Sequence, residues 1–546
     1  MRMRKASSSL WLIPLLQFSP SAAEYVWPSE QDWIEDLLTL QSGYIRNGFI
    51  DAVNPCSFAA QNPGRQNAAE WLRTAFHDMS THDAGAGTGG LDASIMFETE
   101  RPENVGVAFN ATLGFMVNFH TVKSSAADLL ALGVYSVLGT CGGPQIPFRA
   151  GRVDAKDAGP EGVPLPEQNI ATHVDKFAMA GFNTSDMIAM VACGHTLGGV
   201  HGKNFPDITG NSSDENFVFF ENRTHSFAEF DNAVVTEYFD GTTTNLLVVG
   251  ANDTTNSDKR VFAADGNATI EALSDPEEFK HRCQDTLARM VDTVPAAVKL
   301  TEPITPFDIK PYINALELNA EGDLAFVGRI RVRTSDSTGR DPDDIGVHLT
   351  YSDRAGADVC TTIPTTRPTL QLGMSTGLFG ERFTWYEFNT TLDAAAGVSR
   401  FNVHLTTLST NMTEVYDNGG AGFPLTDALL YQLSQSCLNT AVVDGKMDLT
   451  VTAAVRGDQQ ADDLELRLVR RVPRQGVIVP AMEVQEVEFR DSGVTKGEYR
   501  IFRSRYRIDG QNWATTFDIA LGDGEDSKMV EFQKTSLLFG KACEEL

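Results

Sequence analysis

The period of the hydrophobic pattern changes once along this chain, near residue 300, and that change limits the fold more than any other feature. From about Gln66 to Val298 apolar residues recur at helical spacing: Ala68, Ala69, Leu72 and Phe76 share one face, and Met187 and Val191 share another. Ser125 through Val137 reads as a further apolar helix, ended by the loop-forming stretch from Gly139 to Pro144. Beyond Thr301-Glu-Pro-Ile-Thr-Pro the runs become short and alternating, as in Leu324-Ala-Phe-Val-Gly-Arg-Ile-Arg-Val-Arg and Val347-His-Leu-Thr-Tyr, which is the period of strands. A chain of 546 residues exceeds what one hydrophobic core serves. The expectation is a multidomain protein: a mainly α domain over residues 24–300, then two small all-β, sandwich-like domains over 301–440 and 441–546. The last division rests on an internal parallel. Gly322 to Ser352 matches Gly445 to Val469, with Asp343-Asp344 against Asp462-Asp463, and Phe401-Asn-Val-His-Leu matches Phe517-Asp-Ile-Ala-Leu.

The first 23 residues run from Met1-Arg-Met-Arg-Lys through an apolar stretch, Leu10 to Leu16, to small residues at Ser19 to Ala23, the order of a secretory signal peptide. That stretch is too short to span a bilayer, and Pro14 interrupts it. Eight Asn-x-Ser/Thr triplets, at Asn110, Asn183, Asn211, Asn222, Asn252, Asn267, Asn389 and Asn411, suit a secreted glycoprotein. Seven cysteines form no CxxC pair, so disulfides are expected rather than zinc ligation, with one thiol left over. The formal charge of -29 disfavours nucleic acid and anionic membranes as partners, because an acidic surface repels polyanions.

Chemistry concentrates in two helical stretches. In Glu70-Trp-Leu-Arg-Thr-Ala-Phe-His-Asp78, Arg73 and His77 stand one helical turn apart, so a cation and a base meet the same ligand; a surface Arg beside a partly buried His is the blander reading. In Asp186-Met-Ile-Ala-Met-Val-Ala-Cys-Gly-His195-Thr-Leu-Gly-Gly, a histidine closes an apolar helix among glycines that let a flat group approach; a core or capping histidine would look similar. Taken with Gly-x-Asp-x-Ser at 90–94, Ala127-Asp-Leu-Leu-Ala-Leu, Gly142-Gly-Pro, Gly151-Arg-x-Asp154, Phe230-Asp-Asn232 and Ser257-Asp258, in this order, residues 50–300 resemble the plant-type haem peroxidase superfamily, its secreted fungal and plant branches above all.

The resemblance implies an enzyme carrying haem b that reduces hydrogen peroxide and oxidises a small phenolic or aromatic donor through ferryl intermediates. Carried across, His77 resembles the distal base, Arg73 the distal arginine, Asn104 the residue that fixes the base, and Phe76 a wall of the distal pocket. Asn110 competes with Asn104 but lies in a glycosylation triplet. His195 resembles the axial iron ligand and Asp258 the carboxylate on its other ring nitrogen. A neutral imidazole can take a proton from peroxide and return it, and an always-charged guanidinium can stabilise the departing oxygen. A carboxylate on the axial ligand raises its electron donation.

Asp78, Gly90, Asp92 and Ser94 resemble a distal calcium loop, which would brace the helix of the base. Thr196 and Asp231 resemble half of a proximal calcium site. The acidic ligand expected seven or eight residues before Asp231 is replaced by Arg223 or Thr224, which leaves Ser226 as a substitute and the second ion open. Manganese-oxidising relatives carry three acids where this chain has Gln66, Glu70 and His201, so efficient manganese oxidation is not expected. Trp71 reads as core packing, and so do Trp385, Tyr386 and Trp513, although an aromatic platform for a cell-wall polysaccharide is the other reading of the last three. The competing function is a catalytically inactive scaffold whose β-domains bind carbohydrate or protein.

Overall fold

The computed structural model describes residues 25–59, 65–213, 217–222, 229–524 and 527–543; the expected signal peptide lies outside them. The helical part contains α1 (Asp32–Thr39), α2 (Asn67–Met79), α3 (Ala108–Met116), α4 (Ala126–Cys141), α5 (Ile170–Met179) and α6 (Thr184–Gly194), followed by shorter helices and a long one at Pro276–Asp292. Helix α4 is apolar on all sides and buried almost throughout, so it forms the centre of this core. Its start is held by polar groups: the Ser125 hydroxyl accepts from Asp128 N (3.0 Å), and the Asp154 carboxylate accepts from Ala126 N and Ala127 N (3.1 and 2.9 Å). Buried Arg152 pairs with Asp128 at 2.9 Å. The helix ends within the Gly139–Pro144 stretch that its sequence marks, running as far as Cys141. A Cβ on Gly139 would lie 2.7 Å from Leu378, so that glycine serves close packing against a β-domain loop, and Gly142, at φ +78°, makes the actual stop.

The C-terminal region is built of antiparallel sheets paired into two sandwiches. In the first, one sheet runs in the order Met374–Thr376, Arg382–Leu392, Leu324–Arg333, Ile309–Leu318, and the other Met412–Tyr416, Arg400–Thr407, Ile345–Ser352, Ile363–Pro364. In the second the orders are Arg490–Lys496, Tyr499–Asp509, Lys446–Arg456, Leu429–Tyr431, and Lys528–Lys534, Thr516–Leu521, Leu464–Arg474, Val477–Glu488. Strand for strand these are the same order, and the strands containing Phe401 and Phe517, paired in the sequence parallel, occupy equivalent places. Each sandwich has its own buried core.

Two joints tie the parts together. Residues 41–45, which the sequence places in the helical domain, add a short strand to the first sandwich: Ser42 and Gly43 pair with Thr376 and Ser375. A two-residue strand has no period to read, and Gly43 (φ +101°) is required because a Cβ there would strike Met374 O at 2.3 Å. Behind it, α1 offers Glu35 and Asp36 to Lys310 and Arg331 of the first sandwich, with Lys310 Nζ 3.0 Å from Glu35 and 2.8 Å from Asp36 and Arg331 Nη2 2.5 Å from Glu35. The second sandwich touches the helical core through its longest hairpin, Leu464–Arg474 with Val477–Glu488. Disulfides join Cys56–Cys141, Cys193–Cys283 and Cys437–Cys543, and Cys360 is free and exposed. Among the described residues no helix is long and apolar enough to cross a membrane.

Candidate active site

Helix α2 turns Arg73, Phe76 and His77 towards one cavity of about 300 Å³, and the end of α6 brings Gly194, His195 and Gly198 to its other side. His77 Nδ1 lies 2.7 Å from Asn104 Oδ1. An amide oxygen only accepts, so Nδ1 carries the proton and Nε2 is the unprotonated nitrogen. Arg73 Nε donates to that Nε2 at 3.3 Å, while both Arg73 terminal nitrogens donate to Val105 O at 3.2 Å. Burial, and then the Arg73 charge, hold the His77 imidazole far below its ordinary range, at about 3. Burial also pulls Arg73 down to about 10, which leaves it charged at neutral pH. Asn104 is itself fixed, because its Nδ2 donates to Glu98 O at 3.0 Å. Asn110 is exposed on α3 and takes no part.

On the opposite side, α6 begins with a capping box between Asn183 and Asp186 and ends at Gly194, so His195 stands at the helix C-cap. His195 Nδ1 donates to Asp258 Oδ2 at 2.8 Å, which leaves Nε2 available as a ligand atom. A Cβ on Gly194 would meet nothing within 4 Å, while one on Gly198 would strike Ala69 Cβ at 2.7 Å, so these glycines leave one wall open and let the other close on α2. An apolar cavity with an imidazole on each side and no Cβ at Gly194 fits a flat porphyrin, with His195 as the residue that would hold its iron.

Three residues of this site escaped the sequence reading. Asn245 Nδ2 donates to Asp258 Oδ2 at 2.7 Å and so fixes the carboxylate. Phe220 stacks on the His195 ring, with centroids 4.2 Å apart and an interplanar angle of 16°. Phe109 of α3 lies 4.9 Å from the His77 ring and 4.6 Å from the Arg73 guanidinium carbon. None belongs to a motif with fixed spacing, so nothing local in the sequence singles them out.

In the candidate calcium loop Asp78 accepts from Ala93 N and Ile95 N, both at 2.8 Å, Ser94 Oγ lies 3.5 Å from Asp78 Oδ1, and Asp92 Oδ1 accepts from Ser94 N at 3.1 Å. Burial, and for Asp78 also the nearby Asp92, raise both acids above the ordinary carboxylate range. A cation beside them would relieve that repulsion, and the donor set of two carboxylates, a hydroxyl and carbonyls such as that of Gly90 suits a hard ion. Among the described residues no three His, Cys, Asp or Glu side chains gather as a metal cluster. On the proximal side Thr196 Oγ1 lies 2.7 Å from Asp231 O and 3.0 Å from Glu221 Oε1. The acid beside Thr196 is therefore Glu221, farther upstream of Asp231 than the spacing rule looked; Arg223, Thr224 and Ser226 lie outside the described residues.

The three positions weighed for manganese are otherwise engaged or not acidic. Arg65 pairs with Glu70 at 2.5 and 2.7 Å, and Gln66 Oε1 accepts from Gly198 N at 2.9 Å. Trp71 is buried between Phe49 and Phe115. Trp385 and Tyr386 are buried, but Trp513 is 44% exposed and lies against the half-exposed ring of Phe539, 5.1 Å away; its reading as a core residue is corrected. A tryptophan after a short turn, outside any alternating run, carries no sequence sign of which way it faces.

A helical domain that places an imidazole and a guanidinium from one helix across a cavity from a carboxylate-held imidazole defines a peroxidase-type domain. The profile of the family described as Peroxidase matches residues 54–321. A WSC domain-containing protein of Arthroderma benhamiae is 38% identical over 506 residues, covering 91% of this chain and 66% of that protein. L-ascorbate peroxidase 5, peroxisomal, of Arabidopsis thaliana is 34% identical over 185 residues, covering 34% of this chain and 62% of its own length. Mitochondrial cytochrome c peroxidase of Candida albicans is 33% identical over 142 residues, 24% of this chain and 38% of that protein. The chain thus spans slightly less than two thirds of the first of these relatives. It belongs, through its helical domain, to the plant-type haem peroxidase superfamily.

Proposed function

We propose that this chain is a secreted, haem-dependent peroxidase that reduces hydrogen peroxide and oxidises small phenolic or aromatic donors. One observation carries the reading: two histidines line the same cavity, and each has its Nδ1 engaged by a different kind of acceptor, an amide at His77 and a carboxylate at His195. The first arrangement makes a neutral base, the second an electron-rich ligand. Haem b bound here would supply an iron that takes up peroxide and stores its oxidising equivalents.

The chain's own residues do the rest. His77 Nε2 accepts a proton from incoming peroxide and holds it for the departing oxygen. Arg73 directs its donors at the charge that develops there. Asn104 keeps the His77 tautomer, Phe76 and Phe109 exclude water, and Asp258 with Asn245 fixes the His195 ring. Calcium at Asp78, Asp92, Ser94 and the Gly90 carbonyl would stiffen the end of α2 directly after His77. Glu70 is committed to Arg65, which supports an organic donor over manganese.

Secretion is part of the proposal, supported by the three disulfides and by the exposure of the asparagine in seven of the eight glycosylation triplets, Asn267 being half-buried. Contact with a polysaccharide through the β-sandwiches is supported by the exposed Trp513–Phe539 pair. The test is to add hydrogen peroxide to purified, haem-loaded protein and follow the Soret band. A stoichiometric shift that a phenolic donor reverses is expected; a band that peroxide leaves unchanged would reject the enzyme in favour of a scaffold.

A further inference from the structure

The long hairpin of the second sandwich ends against the helical domain, on the side of His77. Its strands pair regularly until the register slips between Val472 and Arg474. Pro473 and Pro480 each lack a ladder donor there, so the tip can leave the plane of the sheet. Val479 is 2% exposed and lies in the helical core, with Val477 packed beside it. Ile478 Cδ1 is 3.1 Å from where a Cβ on Gly114 would stand, so the small residue of α3 seats it. Arg471 donates to Val117 O at the C-cap of α3. Arg474 donates through Nη2 to Val479 O (2.7 Å) and contacts Met96 Sδ (3.1 Å), and its guanidinium carbon lies 4.9 Å from the centre of the Phe97 ring.

Both segments gripped in this way lead to the distal pair. Met96 and Phe97 close the short turn Ser94–Phe97. The next residue, Glu98, gives its carbonyl to Asn104, which fixes His77. Helix α3 carries Phe109, the ring between His77 and Arg73. We propose that Arg474, with the hairpin tip it organises, is a positioning residue for His77 and Arg73: the second sandwich braces the distal pocket from behind through Met96–Phe97 and α3. The inference rests on the peroxidase reading of that pair. Its physical basis is that reactive groups hold their geometry only when the layer behind them is fixed, and small displacements of a base cost large factors in rate.

The test uses the full-length, haem-loaded protein with Arg474→Ala and Arg474→Lys. The bimolecular rate with hydrogen peroxide, the KM for a phenolic donor, and hydrogen–deuterium exchange across residues 94–116 are measured. In the Ala variant the peroxide rate falls about tenfold, the donor KM is unchanged, and exchange rises in 94–116 without a comparable rise in the first sandwich. Lysine, which keeps a cation over Phe97, restores part of the rate. A folded Ala variant with wild-type peroxide rate, or with exchange raised evenly over the whole chain, overturns the proposal. Should the Ala variant fail to fold, Ile478→Ser answers the same question by the same criteria. If the wild-type protein is inert towards peroxide, the peroxidase reading falls, and the exchange pattern alone decides the brace: a local rise keeps it and an unchanged pattern sinks it.

Discussion

The two β-sandwiches have one strand order and two ways of meeting the helical domain. The first docks through charge. Arg331 and Lys310, both buried, meet Glu35 and Asp36 of α1, and Tyr312 donates to Asp36. Burial alone would raise Glu35, but Arg331 and Lys310 hold it below the ordinary carboxylate range. The second docks chiefly through an apolar tip flanked by Arg471 and Arg474, with Lys123–Glu531 and Lys534 over Trp33 at the edge of the joint. Shared topology therefore does not dictate a shared joint. Loop and edge residues choose it, and the choice decides which segments of the helical domain each sandwich holds.

The comparison breaks most sharply at the charged joint. Replacing Arg331 with Met leaves Lys310 as the one cation paired with both Glu35 and Asp36, and is expected to cost about 3–5 kcal/mol in chemical denaturation while the peroxide rate of the folded fraction stays at the wild-type level. His77→Leu should do the reverse: a loss of about 10²–10⁴ in the stopped-flow peroxide rate, with the unfolding transition little changed. A rate loss in the Arg331 variant equal to that in the His77 variant would show that the first sandwich also shapes the pocket.

The pH response sharpens the same contrast. His77 is a base only while unprotonated, and its folded value lies near 3. The peroxide rate should therefore hold as pH falls through the ordinary imidazole range near 6.5 and decline only well below it. The unfolded chain binds that proton near 6.5 and the folded chain does not, so this group removes stability progressively as pH drops below about 6.5. A rate that halves near pH 6.5 would contradict the buried, Arg73-flanked imidazole.

Smaller effects belong to the apolar joint and the outer surface. Val479→Ala should cost about 1–2 kcal/mol by emptying a buried site, read from the unfolding transition. Trp513→Ala should change stability by no more than about 0.5 kcal/mol, since the ring is half exposed, yet lower retention on an insoluble polysaccharide; equal retention would remove the aromatic pair as a binding surface.

Local pattern determined the class of this protein. The change of period near residue 300, the one-turn spacing of Arg73 and His77, and the glycine-flanked His195 all operate within a few residues, where sequence spacing is spatial spacing. The internal parallel of the β-region likewise announced two sandwiches of one design. Tertiary structure alone decided what lies between distant segments. It recruited residues 41–45 to a β-sheet, set Asn245 on Asp258, placed Phe220 over His195 and Glu221 beside Thr196, exposed Trp513, and brought Arg474 to Phe97 across more than 370 residues. Such contacts carry no period and no fixed offset. They exist because two surfaces formed separately happen to bury each other, and only the assembled fold specifies which.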